Sequence, residues 1–317
     1  MMADLRKIIQ DMAAGVNPSD SSLAAIISSS EYDDELARIA YEKKREIFGD
    51  EIFRRGLVEF TNCCRNDCRY CGLRRSNAKI VRYRLSEDEI FECCDYGYSL
   101  GLRRFVLQGG EDLSYSDECI GSIISSIKRK YPDCGVTLSI GEKDYKSYKA
   151  YFEAGADRFL LRHETADEKH YGFLHPSEMS LQKRKECLFA LKEIGYLTGS
   201  GFMVGSPGQT VENIVSDIRF LQQLEPFMIG IGPFIHHRDT PFKDCENGSA
   251  ALTVKLVSIL RLLFPDARIP ATTSLSVIGP EWREKALESG ANVIMPNITP
   301  LKVRKKYELY DGKPFVE

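Results

Sequence analysis

Eight short apolar runs recur along this chain, at residues 53–60, 103–108, 135–139, 157–162, 197–204, 227–232, 267–271 and 292–295. Helical patterns at 86–100, 115–130, 143–154, 178–194, 210–223, 249–263 and 280–289 fall between them, several ending at Gly as helices do. Such alternation marks βα units on a parallel sheet. Eight units over about 240 residues match a closed (β/α)8 barrel, an α/β fold of about 250 residues that gathers functional groups at the C-terminal ends of its strands. A doubly wound open sheet is the competing architecture and would place ligands at a strand-order switch point. Ahead of the first run the chain reads as helix: Pro18-Ser19-Asp20 opens one toward Ser30, and Asp34 to Phe48 carries another. The expected organisation is a helical extension over 1–50 and the barrel over 51–317.

With 317 residues and 43% hydrophobic content the chain can bury a full core. No apolar run approaches the roughly 20 residues that cross a bilayer, and Met1 to Gln10 is charged, so the expectation is a soluble, unexported, cytoplasmic protein with no membrane partner. A net charge of −3 gives no basic field for nucleic acid. Ten Cys in such a chain are expected as thiols. Cys93, Cys94, Cys119 and Cys187 lie in helical patterns and read as packing residues.

Cys64, Cys68 and Cys71 are different. They stand as C-x3-C-x2-C directly after the first run. Structural zinc takes four protein ligands and ferredoxin clusters take four Cys, so three thiolates close neither site. On a [4Fe-4S] cubane, three thiolates leave one iron free to bind something else. Three Cys close by accident, or a zinc site completed by Cys63 or a His, are the alternatives.

Unusual residues collect at the strand ends. Strand two ends Gln108-Gly109-Gly110-Glu111-Asp112, where two glycines let a ligand approach the backbone. Strand three ends with Thr137 and Ser139. Strand four carries Arg158, Arg162 and Glu164, which period-2 alternation places on one face; inside a barrel they would need an anion or a carboxylate partner. Strand five runs into Gly205-Ser206-Pro207-Gly208 but lacks the Gly-Lys-Ser/Thr ending of a phosphate loop. His236 and His237 adjoin each other without a Cys or acidic pattern nearby and read as loop residues.

The cysteine triplet resembles the signature of the radical S-adenosylmethionine (SAM) enzymes. Taken with R-Y-R-L-S, V-L-Q-G-G-E-D, A-D-R-F-L-L-R-H-E-T-A, M-V-G-S-P-G-Q-T, G-I-G-P-F-I, I-P-A-T-T and A-N-V-I-M-P-N, it resembles the HydE family of [FeFe]-hydrogenase maturases from about residue 20 to residue 312. The resemblance implies a TIM-type barrel, a [4Fe-4S] cluster on Cys64, Cys68 and Cys71, and reductive cleavage of SAM to a 5'-deoxyadenosyl radical. It also implies Tyr70 beside the adenine, and Gly109, Gly110, Glu111, Ser139, Arg162, Glu164 and Arg184 along SAM. Beyond SAM it implies a lumen lined by Gln108, Thr137, Arg158, Met228, Thr272, Thr273, Met295 and Tyr307. The implied substrate is a small molecule or an iron complex bearing carbon monoxide, cyanide and cysteine, supplied by a partner maturase in transient contact with a monomer. Arg65, Arg69, Arg74, Arg75, Arg82 and Arg84 suggest a docking face for an acidic flavodoxin or ferredoxin. A methylornithine synthase-like enzyme acting on an amino acid, and a non-catalytic iron-sulfur scaffold, are the alternative readings. Residues 310–317 carry no Cys for an accessory cluster, so none is expected, and closure of that end of the barrel stays open.

Overall fold

The computed structural model describes residues 4–314; residues 1–3 and 315–317, part of the charged N-terminus and of the chain end considered above, lie outside the described residues. Three helices come first, α1 (Leu5–Ala13), α2 (Asp20–Ser28) and α3 (Asp33–Phe48). Then β1 (Phe53–Arg54) and β2 (Gly56–Thr61) form the first stave of the barrel, followed by α4 (Glu87–Ser99), β3 (Arg104–Gly109), α5 (Asp117–Lys130), β4 (Gly135–Ser139), α6 (Tyr145–Glu153) and β5 (Arg158–Leu160). After α7 (Glu168–Leu174) and α8 (Leu181–Ile194) come β6 (Leu197–Ser200), β7 (Met203–Val204), α9 (Val211–Leu224), β8 (Met228–Ile229), β9 (Gly232–Pro233) and α10 (Ala250–Leu263). Finally, α11 (Thr273–Ile278), α12 (Glu281–Leu287), β10 (Val293–Ile294) and α13 (Leu301–Arg304) complete the order.

Most of the helices start where a polar cap offers an oxygen to the first free N–H groups; α3, α11, α12 and α13 start without one. Ser86 and Glu89 make a capping box on α4, as Thr210 and Asn213 do on α9, and Gly195 at φ 109° ends α8 in the left-handed region.

Six strands pair in parallel in the order β2-β3-β4-β5-β6-β8. The ring closes through short bridges. Met228 pairs with Arg268, Pro270 with Val293, and Leu57 with Asn297, with Ile229 N donating to Arg268 O and Leu57 N to Pro296 O, at 3.0 and 2.9 Å. The structure is therefore the closed eight-stave barrel, not the open sheet. The seventh run, 267–271, makes bridges and no regular strand; Pro270 within it has no N–H to give a ladder. The fifth run splits into β6 and β7 at Gly201, where a Cβ would collide with Gly230 O and so hold the neighbouring staves apart.

Alternation along each stave sorts its side chains. Val58, Phe60, Phe105, Leu107, Val136, Leu138 and Phe159 face the helix layer and pack with Ile90, Ile123, Ile127, Tyr148 and Leu188. On the other half, Ile229, Ile231 and Ile269 pack in one cluster with Ile9, Leu23, Leu36 and Leu256, so the leading helices are seated on α9 and α10. The opposite parity, Leu57, Glu59, Gln108, Thr137, Arg158 and Leu160, is left for the lumen. Among the described residues no helix is long and apolar enough to cross a membrane.

Candidate functional site

A cavity of about 300 Å³ opens at the C-terminal ends of the staves. Its wall begins with the loop that leaves β2. That stretch has no regular structure from Asn62 to the bridge between Thr61 and Arg84, so side chains tie it down. Asp67 takes both nitrogens of the Arg74 guanidinium, at 2.9 and 2.6 Å, and the same arginine holds the Asp67 carboxyl well below the usual carboxylate range. Arg82 donates to the carbonyls of Asn62, Leu73, Arg74 and Asn77. Arg84 pairs with Asp112, and Arg65 with Glu111. Of the six arginines that suggested a docking face, Arg65, Arg74, Arg82 and Arg84 have internal partners, Arg65 and Arg84 while still exposed, and Arg69 and Arg75 are exposed as well.

Held on this loop, Cys64, Cys68 and Cys71 all line the cavity. Burial pushes the Cys71 thiol up to about 12 and raises Cys64 and Cys68, because buried thiolates side by side lack water and repel. Such thiols stay protonated until a bound cation takes the place of the proton. Among the described residues no three ligating side chains converge on one ion, whereas a cubane gives each thiolate its own iron.

The opposite wall comes from the next staves. A Cβ on Gly110 would stand 2.7 Å from Cys64 Cβ and closer still to Cys63 O, and one on Gly109 2.7 Å from Thr61 Cγ2, so the two backbones touch as only glycine permits. Glu111, 7% exposed, accepts from Arg65 Nε and Glu142 N, both at 2.9 Å. Strand four corrects the alternation argument. It ends at Leu160, and Glu164 enters the site through a left-handed backbone, φ 65°, fixed by Glu164 N donating to Gly201 O. Arg162 Nη2 comes within 2.9 Å of Glu164 Oε2 but without hydrogen-bond alignment, so Arg162 Nε and Nη2 and Glu164 Oε2 are buried with unspent capacity. Arg184, on α8 beyond the unanticipated α7, donates to Glu142 Oε1 at 2.6 Å and to Arg162 O at 2.8 Å. Tyr70 meets the His175 ring edge-on, 3.2 Å from hydroxyl to Nε2.

All three cysteines therefore share one cavity with Tyr70, Gly109, Gly110, Glu111, Ser139, Arg162, Glu164 and Arg184. Of the residues assigned to the lumen beyond, Gln108 and Tyr307 line it, 3.3 Å apart, and the others do not. Thr137 Oγ1 is buried below without a hydrogen-bond partner. Met228 Sδ lies 2.6 Å from Arg55 Nη1, across the barrel. Arg158 turns from the cavity onto the face of Gly135 and pairs with Asp157 at 2.5 Å, because that neighbouring carboxylate is the nearest answer to its buried charge. Thr272 bonds Ser274, Thr273 bonds Tyr310, and Met295 is half-buried.

Phe234 and Ile235, which end the G-I-G-P-F-I stretch, also line the cavity, and so do residues that had no local signal: Asn66, Gly141, Leu309 and Tyr310. The last two belong to a strap that crosses the mouth, where Gly72 N donates to Leu309 O at 2.8 Å and Lys313 pairs with buried Glu59. That strap closes the end of the barrel left open above. His236 and His237 sit in a loop as expected, yet His237 is 1% exposed and packs on Gly72 beside Cys71.

The family model described as the radical SAM superfamily matches residues 58–221. The "[FeFe] hydrogenase maturase subunit HydE" of Thermotoga maritima is 46% identical over 290 residues, 92% of this chain and 82% of that protein. A "3-methylornithine synthase" of Methanosarcina acetivorans is 29% identical over 96% of this chain and 87% of its own. A crystal structure of methylornithine synthase (PylB) superposes with a TM-score of 0.84 at 26% identity, covering 92% of this chain and 86% of the other.

Proposed function

From the premise that the chain belongs to the radical SAM superfamily, and within it to the HydE family of [FeFe]-hydrogenase maturases, we propose a division of labour around its cavity. The family's [4Fe-4S] cluster and SAM supply, when bound, one-electron cleavage of the sulfonium to methionine and a 5'-deoxyadenosyl radical. In this chain Cys64, Cys68 and Cys71 would hold the cluster. Gly109 and Gly110 let their backbone lie against SAM, with Glu111 and Ser139 beside its methionine end. Arg162 and Glu164, whose buried polar atoms have capacity to spare, take its remaining charged groups, and Arg184 fixes the Arg162 carbonyl. Tyr70, steadied by His175, flanks the adenine. The strap over the mouth keeps water from the reacting centre.

Below SAM the lumen favours an anion. Arg55, 7% exposed, has the guanidinium of Arg158 and those of Arg268 and Arg104 as like-charged neighbours; burial first and that repulsion second lower it to about 10. Asp157 offsets Arg158, and Glu51 and Asp266 offset Arg268. A small substrate bearing carboxylate or cyanide groups fits that balance, with Arg55 and Thr137 at its polar end and Arg158 joining them once its head leaves Asp157 for the lumen. The electron comes from an acidic flavodoxin or ferredoxin at Arg69 and Arg75, in the cytoplasm; reduction that is insensitive to ionic strength and unchanged in an Arg69→Glu, Arg75→Glu variant would sink that part.

The observation that carries the reading is the meeting of three half-buried thiols with the Gly-Gly edge and the unspent Arg162 and Glu164 atoms in one cavity. Anaerobically reconstituted protein given dithionite and SAM should form 5'-deoxyadenosine, and should restore activity to hydrogenase produced without its maturases. A scaffold would yield no 5'-deoxyadenosine. Conversion of lysine, with no effect on hydrogenase, would instead assign an amino-acid mutase.

A further inference from the structure

A buried His–Asp pair lies behind the strand-four loop, outside every role given above. His163, between Arg162 and Glu164 in sequence, is 0% exposed, and so is Asp217 on α9. His163 Nδ1 is 3.0 Å from Ser200 Oγ, and Ser200 Oγ donates to Leu161 O, also at 3.0 Å. A serine hydroxyl has one proton. With that proton committed to the carbonyl, the imidazole must donate from Nδ1, which leaves Nε2 a bare acceptor. Nε2 faces Asp217 Oδ1 at 3.4 Å. A lone pair set against a carboxylate away from water repels, so one proton lies between the two groups. Burial favours the neutral form of each, lowering His163 and raising Asp217; Arg162, Arg184 and Lys185 and, oppositely, Glu164 and Asp167 stand around them.

Asp217 Oδ1 also accepts from Ala166 N at 2.5 Å. The pair thus grips the 161–166 segment at three points, Leu161 O through Ser200, the His163 ring, and Ala166 N. Between them Glu164 holds a left-handed backbone, a strained conformation for a non-glycine residue. Such a conformation persists where its surroundings fix it.

We propose that His163 and Asp217 are positioning residues that share one proton and set the backbone from which Arg162 and Glu164 reach SAM. This rests on the SAM reading of the cavity. The test is SAM affinity of the cluster-loaded protein by equilibrium dialysis, with iron content measured in parallel. Asp217→Ala should raise the SAM Kd about tenfold or more, equivalent to about 1.4 kcal/mol, with iron content unchanged. Asp217→Asn, whose carboxamide oxygen can keep the contact from Ala166 N but carries no proton for Nε2, should weaken SAM binding less than Asp217→Ala does. If Asp217→Ala loses iron, Ser200→Ala, which cuts the links to Nδ1 and to Leu161 O but leaves Asp217 in place, takes its place with the same expected weakening. Arg162→Ala is the control. Weakening in Arg162→Ala with wild-type affinity in Asp217→Ala, or equal loss in the Asn and Ala variants, overturns the positioning pair. Wild-type affinity in Arg162→Ala overturns the SAM reading beneath it.

Discussion

Gly110→Ala adds one methyl group where the strand-two ending meets the cysteine loop, and the structure sets its size of effect. The new Cβ would stand 2.7 Å from Cys64 Cβ and 2.9 Å from the Cys63 carbonyl carbon, and closer to its oxygen, all inside the 3.0 Å that real Cβ atoms respect. Gly110 is not among the residues of positive φ, so alanine meets no conformational penalty and the test is steric. Restoring ordinary contact means moving the Cys63–Cys64 backbone by on the order of 1 Å, since carbon atoms settle at about 3.5–4.0 Å. Overpacking of this kind costs about 1–3 kcal/mol. If that cost falls on the bound state, SAM affinity drops by about 5- to 150-fold. Gly121→Ala in α5 is the control: its nearest neighbour would be Ala154 Cβ at 4.0 Å, and removing a mid-helix glycine should stabilise by up to about 1 kcal/mol. Iron content, thermal midpoint and SAM binding, measured on both variants, separate the cases. A Gly110→Ala protein with full iron and SAM affinity within about twofold of wild type would refute the claim that only glycine lets these two backbones touch.

Replacing Cys64, Cys68 or Cys71 by Ser should abolish the broad iron-sulfur absorbance, while Cys63→Ser retains it; the reverse pattern would shift the ligand register by one. Glu164→Ala should weaken SAM binding by about 1.5–3 kcal/mol, the worth of a hydrogen bond to a charged group, with iron retained. Arg158→Lys should keep iron and SAM affinity but lose hydrogenase maturation, because a point charge cannot reproduce a guanidinium fork; full maturation would reduce Arg158 to a partner of Asp157.

The eight staves were legible because each is an apolar run bounded by turn residues, and the site because glycines and charges cluster where those runs stop. What escaped detection depended on distant partners. Glu164 carries no local mark of a left-handed backbone; Gly201 O and Asp217 impose it, so alternation assigned the right residue to the cavity by the wrong geometry. Arg158 has the lumen parity expected of it, but Asp157, adjacent in sequence, turns its head toward the N-terminal mouth. Stave seven was read as a strand although Pro270 denies it a ladder, and the strap from Tyr307 to Lys313 became visible only through Glu59 and Gly72.

The arginines of the cysteine loop show why charge counts mislead here. A loop with no ladder must still hold three sulfurs at fixed spacing, and its buried carbonyls need donors. Arg82 supplies them, with Nη1 at 2.5 and 2.9 Å from Asn62 O and Leu73 O, and Nη2 at 2.7 and 3.3 Å from Arg74 O and Asn77 O. A planar fork reaches carbonyls on both sides of the loop; an ammonium on a single stem cannot. Arg82→Lys therefore preserves net charge and strands carbonyls at about 1–3 kcal/mol each. The loop should open more often, and the loaded protein should surrender iron to a chelator roughly tenfold faster or more. Arg75→Lys, at an exposed position, should leave that rate unchanged. Equal rates for Arg82→Lys and wild type would mean that the cluster organises the loop, and not the loop the cluster.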